Sequence, residues 1–222
     1  KKMSWLIGPV LIGVAVNQIN TMVDRTLAST LVEGSISALN YANKLNGFVM
    51  ALFITSVGAV IYPMLSKLSS EDNKEKFISS VVQSINSVIL LVIPISIGAI
   101  VLATPIVKLL FQRGEFDARA TSMTAIALIM YSIGMVAFGL RDIIGKVFYA
   151  LKDTKTPMIN GVIAMGVNMV MDVVFIQFWG LAGLTLATSL SSIACIMLLF
   201  RSLKKKMGYF GQDKIMKATL KS

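Results

Sequence analysis

Long apolar runs separated by short polar breaks set the pattern of this chain. A helix that crosses a bilayer needs about 20 mostly apolar residues. Six stretches reach that length: about 5–31, 36–66, 77–111, 118–150, 157–178 and 181–203. Several exceed one perpendicular crossing, so they must tilt or project into water. In the third, Pro94 and Pro105 each remove a backbone donor, which predicts a kink or a break. Asp117 is placed to cap the fourth helix after a turn at Gly114, and Thr156 to cap the fifth with Pro157 as its first residue. The pattern predicts an all-α polytopic membrane protein, a six-transmembrane-helix bundle over residues 1–203 with a basic tail over 204–222. In that tail Tyr209, Phe210, Ile215, Met216 and Leu220 stand among lysines, which suits an interfacial segment and a solvated polar tail equally.

Composition and charge sharpen this reading. The chain is 55% hydrophobic and 14% charged, against about 25% charged in soluble domains. Its net charge of +10 points to membrane flanks and not to nucleic acid, because the cations border the apolar runs. Lys1, Lys2, Lys67, Lys74, Lys76, Lys152, Lys155, Arg201, Lys204, Lys205 and Lys206 fall on one side. The loops of the other side offer Arg113, with Arg119 just inside the next helix. Lysine and arginine collect in cytoplasmic loops, so both termini are expected in the cytoplasm. The apolar stretch after Lys1-Lys2 is too long for a signal peptide, and no small-residue cleavage site follows. There is no histidine, and the one cysteine, Cys195, lies within an apolar run. No nucleophile–base, Walker or zinc-binding pattern is present, so binding and translocation fit better than catalysis.

The chemistry lies in the polar residues inside the apolar runs. Two aspartates are each preceded four residues earlier by asparagine: Asn20/Asp24 and Asn168/Asp172. That spacing puts both side chains of a pair on one helix face. Asn17 extends the first stripe. A carboxylate in a bilayer helix is expensive and normally faces a partner, a cavity or an ion. Asp24, Lys44, Asp172 and Thr188 all fall roughly 9–12 Å from the same ends of their helices. Two readings stay open. In one, Asp24, Asn168, Asp172 and Thr188 form a cation site, completed by backbone carbonyls near the glycine-rich start of the last helix. In the other they form an interhelical hydrogen-bond network, with Asp24 protonated, paired with Lys44, or paired with an outward-reaching Arg25. Lys44, Arg141 and Arg25 are the candidates for contact with a phosphate-bearing substrate. Arg141 equally suits a plain interfacial anchor. The repeated Asn-x-x-x-Asp, each followed by a glycine-containing loop, hints at the internal repeats common in transporters.

Three segments carry a family likeness: QINTMVDRTLASTLVEGSISALNYANKL (18–45), PIVKLLFQRGEFDARATSMTAIALIMYSIGMVAFGLRDIIGKVFYALKDTKTP (105–157) and GLAGLTLATSLSS (180–192). Together they resemble the lipid II flippase family of bacterial peptidoglycan synthesis, MurJ or MviN, of the MOP exporter superfamily. The resemblance implies fourteen transmembrane helices in two lobes around a central cavity. This chain would then be helices seven to twelve, most of the C-terminal lobe, and a fragment or one piece of a split protein. The implied partners are lipid II, the bilayer of the bacterial inner membrane and an N-terminal lobe. The family's sodium site falls on Asp24, Asn168, Asp172 and Thr188, with a backbone carbonyl at Leu184. Lys44 stands where relatives usually have a cavity arginine, which keeps the charge and loses bidentate phosphate recognition. The implied function is transbilayer flipping of lipid II by alternating access, coupled to a cation. Rival readings are another MOP-superfamily exporter, of polysaccharide lipids or drugs, and a non-transporting scaffold of cell-wall synthesis.

Overall fold

The computed structural model describes residues 15, 18–71 and 73–208. Asn17, Lys1, Lys2 and the tail from Tyr209 onward lie outside the described residues. The helices are α1 (18–28), α2 (Ser35–Ser70), α3 (Lys74–Val101), α4 (Ala103–Phe111), α5 (Ala118–Ala150) and α6 (Lys155–Met207). Four of them, α2, α3, α5 and α6, are long and apolar enough to cross a bilayer. The fold is an all-α membrane bundle.

The irregularities have local causes. Pro105 cannot share a helix with the carbonyl four residues before it, which is that of Val101, and α3 ends there. Pro105 then sits in the first turn of α4, where its missing donor is no loss. Pro94 is carried inside α3 without a break. Asp117 caps α5, its carboxylate accepting from the Ala120 N–H at 2.8 Å. The expectation for the next helix needs correction. Asp153, not Thr156, supplies the cap: its Oδ1 accepts from the Thr156 N–H at 3.0 Å and its Oδ2 from the Thr156 hydroxyl at 2.8 Å. A carboxylate accepts both bonds at once, so α6 starts at Lys155 and takes Pro157 into its first turn. In α2, residues Met50–Thr55 widen into a π-helical turn.

With 53 residues, α6 would run about 80 Å if straight, more than twice the hydrocarbon thickness. Gly180 breaks it, with φ 53° and ψ −126°, a conformation that only glycine adopts at little expense. Beyond it the chain folds back. Asn160 Nδ2 donates to the Ser202 hydroxyl at 3.1 Å, although the two are separated by 42 positions. Near the bend, a Cβ on Gly183 would stand 2.6 Å from the Phe175 carbonyl carbon. The two arms, 155–179 and 181–207, therefore form a helical hairpin that crosses twice.

α5 is the central post, packing against α2, α3, α4 and α6. Two apolar cores lie along it. At the end bearing the Gly180 bend, Ala28, Leu39, Ala42, Ala103, Val107, Leu128, Tyr131 and Leu184 cluster. At the lysine-rich end, Leu65, Val81, Ile85, Val88, Ile144, Phe148, Leu199 and Leu203 form a larger cluster. A waist of small and hydroxylated residues separates them. The Ser189 hydroxyl donates to the Met130 carbonyl at 2.6 Å, and the Ser96 hydroxyl to the Ser132 carbonyl at 2.5 Å. A Cβ on Gly134 would meet the Ser189 Cα at 2.7 Å, so glycine permits the close approach of α5 and the second arm.

Candidate cation and anion sites

The two intramembrane aspartates come together. Asp24 on α1 is 8% exposed and Asp172 on the first arm of α6 is 0% exposed. Their carboxyl groups lie within electrostatic reach of each other. The Leu31 side chain lies 3.7 Å from where a Gly180 Cβ would stand, which ties the end of α1 to the bend. Asp24, seven residues before Leu31, and Asp172, eight before Gly180, then reach the same depth. Asn168, one turn from Asp172 and fully buried, donates through Nδ2 to Asp172 Oδ1 at 3.1 Å. Asp24 Oδ1, Asp172 Oδ2 and Asn20 Oδ1 are buried and accept no hydrogen bond. Two neighbouring buried carboxyls are costly to hold as two bare charges.

The hairpin brings the second arm to the same level. Phe175 meets Gly183 and Asn160 meets Ser202, a register that puts Thr188 level with Asp172. The Thr188 hydroxyl donates to the Leu184 carbonyl at 3.1 Å, which leaves its lone pairs to face elsewhere. The donors at this depth are carboxylate, amide, hydroxyl and carbonyl oxygens, a set for a hard cation and not for a soft metal. Among the described residues there is no group of three or more His, Cys, Asp and Glu residues suited to a transition metal.

One residue near this cluster was not visible in the sequence. Tyr131 on α5 is 4% exposed and lies within electrostatic reach of both Asp24 and Asp172. Thr124, two turns earlier on the same helix, is fully buried, and its hydroxyl has no hydrogen-bond partner. Their spacing of seven, polar within an apolar run, was the available signal. A lone tyrosine in such a run looks like ordinary core.

Lys44 and Arg25 belong to a different feature. With Ile36, Asn40 and Asn43 they line an open cleft of about 530 Å³. Among the described residues no ion pair joins Asp24 to Lys44 or to Arg25, so neither pairing considered from the sequence is formed. The reason is angular. Adjacent helical residues point about 100° apart, so Arg25 turns to the cleft while Asp24 turns to Asp172. Lys44 extends over the Tyr41 ring, 5.4 Å from its centroid, and Tyr41 rests on Phe111 and Phe116 at 4.7 and 5.1 Å. Arg141 is not part of this cleft. Half-buried on α5, its guanidinium lies 3.7 Å from where a Cβ on Gly161 would stand, beside the first arm of α6.

Known proteins share this sequence pattern and this fold. The sequence profile of the family described as Lipid II flippase MurJ matches residues 1–222. The probable lipid II flippase MurJ of Vibrio cholerae serotype O1 is 38% identical over 202 residues, covering 91% of this chain and 38% of the relative. The lipid II flippase MurJ of Burkholderia cenocepacia is 32% identical over 198 residues, covering 89% of this chain and 38% of the relative. The chain thus spans well under half the length of these curated relatives. A solved lipid II flippase MurJ in an inward closed conformation superposes with a TM-score of 0.84 at 32% identity, over 96% of this chain and 44% of that one. An outward-facing multidrug resistance MATE family transporter of the MOP superfamily shares the fold, with a TM-score of 0.79 at 20% identity, over 96% of this chain and 48% of that one. A profile match along the whole chain, relatives above 30% identity and a common fold agree: this chain belongs to the lipid II flippase MurJ family.

Proposed function

We propose that this chain is one lobe of a flippase that carries lipid II across the bacterial cytoplasmic membrane by alternating access against a second lobe. The rest of the relatives' length would supply that second lobe. The observation that carries the proposal is the pairing of a buried carboxyl cluster with a neighbouring cationic cleft at one end of the bundle. Lys44 and Arg25 offer point charge and guanidinium to a pyrophosphate, while the prenyl tail stays in the bilayer. The chemistry is binding and movement, with no covalent step.

The carboxyl cluster fits a sodium ion. Asp24 and Asp172 would hold it, with the Asn168 amide oxygen, the Thr188 hydroxyl and the Leu184 carbonyl completing the shell. The buried, unpartnered Asp24 Oδ1 and Asp172 Oδ2 support this reading, since they are acceptors that lack donors. A bound cation would supply the positive charge that allows both carboxylates to ionise. Because these residues sit on α1 and on both arms of α6, occupancy would draw the three segments together. That biases the transport cycle only if the open and closed states differ in cation affinity. The lysine-rich end, with Lys67, Lys74, Lys152 and Lys204, is proposed to face the cytoplasm.

The test uses the full-length protein in bacteria depleted of their own lipid II flippase, with lipid II exposed on the outer leaflet as the readout. Wild type should restore exposure. Lys44→Gln should reduce it several-fold, and Lys44→Arg should retain it. No exposure from a folded, inserted wild-type protein would overturn the cargo assignment in favour of another exporter of the superfamily.

A further inference from the structure

At the lysine-rich end, far from the carboxyl pair, the helix ends enclose a pocket of about 190 Å³. Its wall comes from three places that are distant in sequence. Leu68 and Ser69 close α2, Asn73, Lys74, Phe77 and Ile78 come from the start of α3, and Leu151, Lys206 and Met207 come from the end of α5 and of the hairpin. The floor is apolar, with Phe77 buried and Leu68, Ile78, Leu151 and Met207 half-buried. Lys74 and Lys206 stand exposed at the rim. An apolar floor with cations at its rim suits the headgroup end of an amphiphile.

We propose that this pocket binds the phosphate headgroup of an anionic phospholipid. The volume is below the roughly 300–1,000 Å³ of pockets that enclose a drug-sized ligand. It therefore accommodates a headgroup, leaving the acyl chains against the outer surface of the bundle. The positive end of α3, a 28-residue helix, opens into the pocket and favours an anion. Asn73 Oδ1 accepts from the Lys76 N–H at 3.2 Å, and the N–H groups of Lys74 and Glu75 before it have no helical acceptor.

Lys206 is fixed in place. It pairs with Asp153 and lies 6.0 Å from the centroid of the Phe148 ring. An ammonium has three donors, so Lys206 can hold Asp153 and a phosphate oxygen together. Lys67 pairs with Glu71 at 3.8 Å and does not line the pocket. The acidic Glu75 follows Lys74 on α3 and is also absent from the lining. The charge facing the cavity is therefore positive. The inference does not depend on the flippase reading.

The test is lipid retention by the purified chain in detergent, read by native mass spectrometry with phosphatidylglycerol and phosphatidylcholine added in equal amounts. Wild type should retain phosphatidylglycerol preferentially. Lys74→Gln with Lys206→Gln should lower that preference by roughly ten- to thirty-fold. Lys74→Gln alone, which leaves the Asp153 pair intact, should give roughly a third to a tenth of wild-type preference. Lys205→Gln, next to the pocket but outside its lining, should leave it unchanged. An equal loss in Lys205→Gln would overturn the proposal by showing diffuse attraction to the basic surface. Complete displacement by excess inorganic phosphate would overturn the lipid assignment in favour of a soluble anion.

Discussion

The two ends of this bundle are made by the same helices and are built on opposite principles. At the lysine-rich end, large branched and aromatic side chains fill the interior: Val81, Ile85, Val88, Ile143, Ile144, Val147 and Phe148 are almost wholly inaccessible. At its rim Asp153 meets Lys206, and further along α5 Asp142 pairs with Lys146. At the bend end, alanines and polar groups replace much of that bulk, and Asp24, Asn168, Asp172 and Thr124 are buried. The first arrangement excludes water and fixes helix positions. The second gives up packing energy to hold oxygen atoms in low dielectric, where, on the proposed reading, a cation would bind.

The sharpest way to break this contrast is at the waist between the two ends. Gly134→Val would drive a side chain into the Ser189 backbone and force α5 from the second arm of the hairpin. It should destabilise the protein by about 3 kcal/mol or more. Gly166→Ala, which meets nothing within 4 Å, should be neutral or slightly stabilising. Thermal unfolding in detergent separates the two, and equal melting of both variants would refute the tight waist.

A smaller effect should distinguish the polar end. Asp172→Asn keeps the shape and removes one ionisable carboxyl. Sodium affinity by calorimetry should fall by at least about tenfold, or 1.4 kcal/mol, with little change in melting without sodium. The rigid end should be indifferent, so Asp142→Asn should leave sodium affinity as it was. Undiminished binding in Asp172→Asn would sink the cation assignment.

The smallest effect lies at the rim. Burial alone would push the Asp153 carboxyl up, yet the Lys206 ammonium and the Thr156 donors outweigh it and hold it below the usual carboxylate range. A carboxylate with a lowered folded pKa stabilises the fold above its unfolded value of about 3.9, and that contribution disappears as pH falls through the folded value. Wild type should therefore lose a little stability on acidification below about pH 4, and Asp153→Asn should lose less over the same range. Because Lys206 is more than a third exposed, solvent screens the pair and the difference should stay under about 1 kcal/mol. Identical acid profiles for the two proteins would show the pair to be energetically silent.

Several features were already determined by the sequence alone. The helices follow from apolar runs of bilayer length, because a backbone in lipid must satisfy its own hydrogen bonds. Asp117 as a cap and Pro105 as a break follow from local chemistry, and so does the sharing of one face by Asn168 and Asp172, since each involves residues within one turn. Tertiary structure alone decided which faces meet. Asp24 has Lys44 and Arg25 as cationic candidates, yet it turns to Asp172, because the Gly180 hairpin and the Leu31 contact set the depth and rotation of α1. The level pairing of Thr188 with Asp172, the nearness of Tyr131 and the Asp153–Lys206 clasp across 53 positions arise in the same way. Periodicity states which residues share a face of one helix. The angle at which that face meets another helix is set by close packing of side chains from distant parts of the chain, and no local pattern records it.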